Sequence, residues 1–311
     1  MIKLSFSTLT RIAALMVACV LVGCGGASST VDPLVPTRVI AFGDAYSAVF
    51  PGTGAGKFTV QTGETDNTLA GRIAAKYGFV LKDTPTSGGY SFADGTLGSG
   101  KVDNVTTQID TYLTNVGNSI GAKDLIIITV GSQDIYDIVQ SGTGSIAIAT
   151  TTLTNQIQRL TNAGAKYVLV VLPINMARTP WGANREAVRA LSYDTSTQCL
   201  SFSCQLSTKL NSAYPATTSH QPILLADLIS YSNLFTGTTT TGSADTYLSY
   251  GVTNPNTAAC NAGGTSGCTT GAVNANYATY VFADTLNLTP FANRLLADYI
   301  YNYNFYRAGW R

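Results

Sequence analysis

Three short stretches of this 311-residue chain hold the residues whose types and spacing bear on chemistry. Phe42-Gly43-Asp44-Ala45-Tyr46-Ser47 follows one apolar run, Val130-Gly131-Ser132-Gln133-Asp134 follows another, and Asp284-Thr285-Leu286-Asn287 lies just before Thr289-Pro290. Acyl transfer by a serine needs a hydroxyl exposed at a sharp strand-to-helix turn, a base to take its proton and a carboxylate to orient that base. Asp284 supplies a carboxylate, but the hydroxyls are badly placed. Ser47 falls two positions past the turn, where it is expected inside the following helix, and Ser132 fares no better. His220 is the only histidine and stands in a polar stretch, where such a ring is usually just solvated. Asp44, Asp134 and Asp284 suggest a glycosidase carboxylate pair, yet capping helices and holding loops is the stronger reading of Asp44 and Asp134.

Elements must position these stretches. Arg38 to Phe42, Phe79 to Leu81, Asp124 to Val130, Lys166 to Leu172 and Ile223 to Asp227 read as buried parallel strands rich in Val, Ile and Leu. Between them Leu69, Ile73 and Tyr77 recur every fourth position before Gly78, and Ile146, Leu153, Ile157 and Leu160 share a face before Gly164. The last helix has Thr289 as cap and Pro290 at its first position. This alternation predicts an α/β fold: one three-layer, doubly wound domain with a mostly parallel sheet, over residues 37–311. A Thr/Gly/Ser/Asn-rich insertion runs from about 236 to 279. Doubly wound sheets place their sites at the carboxyl ends of strands, which is where the three stretches fall.

In this order the stretches resemble the blocks of the SGNH/GDSL esterase and lipase family. The first is similar to the block carrying the serine nucleophile, the second to Gly-x-Asn-Asp, and the third to Asp-x-x-His. Weaker echoes lie at Gly88 to Gly95, at Leu172-Pro173 with Thr179-Pro180, and from Tyr250-Gly251 to Cys260. The resemblance implies a flavodoxin-like fold of the SGNH-hydrolase type, carboxylester hydrolysis, and no cofactor or metal. It also exposes departures. The nucleophile position holds Ala45, the oxyanion-hole asparagine position Gln133, and the base position Asn287; Asp284 alone survives of the triad. The glycine donor of the oxyanion hole corresponds to Gly95, with Thr96 one residue away. A methyl group cannot attack a carbonyl, and a carboxamide cannot take a proton at neutral pH. Gln133 also moves the amide nitrogen by one carbon–carbon bond, beyond the ~0.5 Å that a productive site tolerates. The expectation is a catalytically inactive envelope protein with a binding or scaffolding role, its ligand an acylated glycan, lipid or peptide. The alternatives are a carboxylester hydrolase using an unrecognised nucleophile, and a structural envelope component without a ligand.

The amino-terminal residues address the chain. Lys3 and Arg11 flank a polar start, and the apolar run Ile12 to Val22 is too short to span a bilayer, so residues 1–23 read as a secretory signal. It ends in Leu21-Val22-Gly23-Cys24, which resembles a bacterial lipobox, with Cys24 as the lipidated residue, residues 24–36 as a tether and Gly25 directing the protein to the outer membrane. Losing Lys3 and Arg11 would take the net charge from +1 to −1. With 11% charged residues and no basic cluster in the sequence, nucleic acid is not an expected partner; the membrane, through the anchor, is. In an oxidising compartment the remaining cysteines are expected as two short-range disulfides, Cys199 with Cys204 and Cys260 with Cys268, rather than as a zinc site.

Overall fold

Strands that are apolar at every position need cover on both faces, and helices above and below one parallel sheet supply it. The structure is a computed structural model that describes residues 33–49, 58–83, 88–93, 101–193, 198–215, 221–237, 244–260, 268 and 273–311. Its sheet consists of β1 (Arg38–Gly43), β2 (Gly89–Ser91), β3 (Asp124–Thr129), β4 (Tyr167–Val171) and β5 (Ile223–Ala226). The order is β2-β1-β3-β4-β5, with every pair parallel. The helices include α1 (Leu69–Ala75), α2 (Val102–Asn115), α3 (Ser132–Ser141), α4 (Ile146–Asn162), α5 (Glu186–Ser192), α6 (Phe202–Ala213), α7 (Ile229–Phe235), α8 (Ala244–Leu248) and α9 (Pro290–Tyr299), which runs on through a π-helical stretch, Ile300–Phe305, and a last turn, Tyr306–Ala308.

The pleat divides each central strand between two cores. Val39, Ala41, Leu125, Ile127, Leu169 and Val171 pack with Leu69 and Ile73 of α1 and with Leu296 of α9. Ile40, Phe42, Ile126, Ile128, Val168 and Val170 pack on the other face with Ile109 of α2, Leu153 and Ile157 of α4 and Leu206 of α6. These are the three layers read from the sequence, in the flavodoxin-like strand order, which puts the switch point between β1 and β3. The caps agree too: Thr289 Oγ1 accepts from Ala292 N at 3.2 Å with Pro290 in the first turn. Gly78 and Gly164 take the left-handed conformation just past α1 and α4.

One strand was misplaced. Phe79 to Leu81 is not a strand of the sheet; the edge next to β1 is β2, in register from Val39 with Gly89 to Ala41 with Ser91. The apolar run instead lies alongside β2, where a Cβ on Gly88 or Gly89 would stand 2.8 Å from the Phe79 ring or 2.9 Å from the Val80 carbonyl oxygen. Only Lys82 bridges to Tyr90. Both expected disulfides form, with Cα separations of 5.3 Å for Cys199–Cys204 and 5.9 Å for Cys260–Cys268. The insertion is woven into the body rather than laid over it. Its β6 (Asn254–Ala258) pairs with β7 (Tyr280–Phe282), and Val252 is fully buried. Cys260 and Cys268 pack on Val60 and Ala283.

Candidate active site

The end of β1 is shaped by one close approach. Gly43 has φ +126°, and a Cβ there would fall 1.7 Å from the Thr129 carbonyl oxygen at the end of β3; no residue with a side chain fits. Gln108 of α2 brackets it, accepting from Gly43 N at 2.8 Å and donating to Gly43 O at 3.3 Å. Asp44 N then donates to Thr129 O at 2.8 Å, and Asp44 Oδ1 accepts from Tyr46 N at 3.0 Å. These bonds fold residues 44–47 into a tight turn. Ala45 stands partly exposed at its tip, between the buried Asp44 and Tyr46. Ser47 belongs to this turn and not to a helix, a departure from expectation that leaves it no better as a nucleophile. It is fully buried, and its Oγ lies 2.8 Å from Thr129 Oγ1.

The second stretch opens α3. Gly131, at φ +109°, caps the helix where a Cβ would meet the Phe202 ring at 2.6 Å. Gln133 turns its carboxamide along its own helix: Nε2 donates to Asp137 Oδ1 at 3.1 Å, and Asp137 is paired with Lys101 at 3.0 Å. Asp134 is buried, and its Oδ1 accepts from Val102 N at 3.4 Å, capping α2, while Oδ2 has no partner among the described residues. Burial pushes its pKa up to about 7, against the pull of the Val102 N–H and Lys101. Burial likewise pushes Asp44 up to about 6, partly offset by hydrogen bonds from Thr129 and Tyr46.

Asp284 spends its oxygens on its own loop. Oδ1 accepts from Leu286 N at 2.7 Å and Asn287 N at 2.5 Å, and Oδ2 accepts from Asn287 Nδ2 at 2.9 Å. The carboxylate thus holds the Asn287 amide in place. Burial, then the charges of Asp44 and Asp284, raise the Tyr46 pKa well above the ordinary tyrosine value, so its hydroxyl stays protonated. Trp181 links the loop to α3, since its N–H donates to Thr285 O at 2.9 Å and its ring lies 4.8 Å from that of Tyr136. Its indole Nε1 has no partner among the described residues.

A sequence model of the family described as GDSL-like Lipase/Acylhydrolase matches residues 39–300, from β1 to the end of α9. The chain belongs to the GDSL-like lipase/acylhydrolase family. No curated protein matches it. All three stretches lie inside the family match. Gly95, Thr96, His220 and Cys24 lie outside the described residues. Thr129, Gln108, Tyr136 and Trp181 were missed in the sequence. Thr129 ends an apolar run and Trp181 follows the Thr179-Pro180 echo, but nothing local marks Gln108 in a helix of mixed composition.

Proposed function

We propose that this GDSL-family chain is not a working serine esterase and serves the bacterial envelope as a binding or scaffolding lipoprotein. The observation that carries the reading is Ala45 at the tip of an otherwise complete nucleophile turn. The supporting bonds from Asp44, Thr129 and Gln108 are present, and the group they would present is a methyl. Gln133 and Asn287 extend the argument, because each amide is engaged within its own element rather than directed at a substrate. In serine hydrolases, loss of the serine or histidine costs about 10⁶ in turnover. Three departures at once favour a site released from catalysis over a single inactivating change. The ligand class we assign to the former site is an acylated glycan, lipid or peptide.

Labelling by a fluorophosphonate tests this. The natural chain stays unlabelled, and Ala45→Ser with Asn287→His gains label at position 45. Label on the natural chain would instead support an acyl-ester hydrolase with another nucleophile. The anchor at Cys24 is tested separately, by the mass of the amino-terminal peptide of protein recovered from membranes: a diacylglyceryl cysteine at position 24 supports it, an unmodified one refutes it.

A further inference from the structure

We propose that the edge of the sheet where the strands begin is a docking surface for an anionic lipid bilayer, which turns the former active site away from the membrane. The proposal takes its tether from the Cys24 reading and is independent of whether the site catalyses.

The five strands are parallel, so their first residues share one edge. Basic residues collect there. Lys123 precedes β3, Lys166 precedes β4, and Arg307 and Arg311 follow α9; all four are exposed. The facing acids are already taken: Asp124 is fully buried and paired with Arg38, and Asp298 is paired with Lys76 at 2.5 Å. Trp310 fixes the carboxyl-terminal segment to this edge, packing on Tyr167 at 5.3 Å while its carbonyl accepts from Tyr77 Oη at 2.8 Å. Beside it Tyr303 and Tyr306 are 44% and 66% exposed. Arg307 lies 5.2 Å over the Tyr303 ring, and Arg311 lies 5.5 Å over Tyr306. Exposed tyrosines interleaved with arginines match the headgroup layer, where the ring is half-buried and the cation meets phosphate.

The path of the chain argues for the same occupant. Leu34 is buried in the core with Trp310, and Thr37 N donates to Lys123 O at 3.0 Å, so the chain joins the body at this edge. The ten residues from Cys24 to Leu34 reach at most about 35 Å when extended. An anchor there makes docking of the basic edge effectively intramolecular.

The test uses the membrane-extracted full chain on vesicles of phosphatidylethanolamine and phosphatidylglycerol, with a fluorophore at Tyr306→Cys or, at the opposite edge, Ala183→Cys. Spin-labelled lipid should quench the first severalfold more than the second. Neutral phosphatidylcholine vesicles, or the changes Arg307→Ser and Arg311→Ser, should abolish the contrast. Equal quenching at both positions, or a contrast indifferent to charge, overturns the proposal. Should Cys24 carry no lipid, the anchor reading fails by itself and cosedimentation decides the surface. Binding to the anionic vesicles that falls about thirty-fold in the double arginine variant supports it, and binding to both vesicle types or to neither refutes it.

Discussion

At the carboxyl edge of the sheet the acidic side chains are buried and turned on their own turns and helices, whereas at the opposite edge the basic side chains are exposed and lie over aromatic rings. Asp44 binds the turn that carries Ala45, Asp134 caps α2, and Asp284 closes the loop that carries Asn287. Arg307 and Arg311 bind faces of Tyr303 and Tyr306 that water also touches. The difference teaches that the parts positioning a GDSL site are obligations of the fold. Gly43 and Thr129 must meet for β1 and β3 to end side by side, whether or not a hydroxyl follows. Resemblance in these blocks therefore reports a scaffold, and the reactive atoms report the function.

The comparison breaks most visibly at Gly43. Gly43→Ala puts a methyl 1.7 Å from the Thr129 carbonyl oxygen at a left-handed φ, which should cost more than about 4 kcal/mol. A thermal melt should show no folded protein or a midpoint lowered by roughly 10 °C; a midpoint within about 2 °C of the parent would mean that the strands can separate. At the basic edge the corresponding structural group is Asp124, fully buried and bonded by Thr37, Arg38 and Gly121 N. Asp124→Asn should lose about 3–5 kcal/mol, while the exposed Arg307→Ser should stay within about 0.5 kcal/mol. Equal effects of the two in urea titration would erase the distinction between a buried and a surface charge.

The buried acids sharpen the comparison through pH. A carboxyl whose folded pKa lies above its unfolded value stabilises the native state below the unfolded value, and that stability is lost as pH rises through the folded one. For Asp44 the loss runs from the ordinary carboxyl value of 3.8 to about 6, and for Asp134 from 3.8 to about 7. Asp134→Asn should therefore gain on the parent by a few kcal/mol between pH 4 and pH 8, read as the difference in urea midpoints. Parallel curves for the two proteins would show that Asp134 is solvated in its charged form. A smaller loss than at Asp124 is expected at Asp284→Ala, which removes the acceptor of Leu286 N, Asn287 N and Asn287 Nδ2 and should cost about 1–3 kcal/mol in the same urea titration.

Much of this was legible in the sequence. β1, β3, β4 and β5 announce themselves because strands covered on both faces are apolar throughout. β2 does not, since Gly89-Tyr90-Ser91 is short and lies beside the more apolar Phe79 to Leu81. The loop at Asp284 is held by bonds within three residues, whereas the turn at Ala45 also needs Thr129 and Gln108 from elsewhere in the chain. Thr129 and Gln108 were not legible, because their roles exist only once β1 and β3 are neighbours and α2 crosses behind them. Ser47 was assigned to a helix because nothing local shows that Asp44 closes the turn onto Tyr46 and Thr129.

Hydrolysis of short- and medium-chain nitrophenyl esters tests the central claim most directly, comparing the natural chain, Asp284→Ala, and the combined reversion Ala45→Ser, Gln133→Asn, Asn287→His. The account predicts that the natural chain and Asp284→Ala are equally silent and that the reversion turns over ester. Turnover by the natural chain that disappears in Asp284→Ala would contradict it and place an active nucleophile beside that loop.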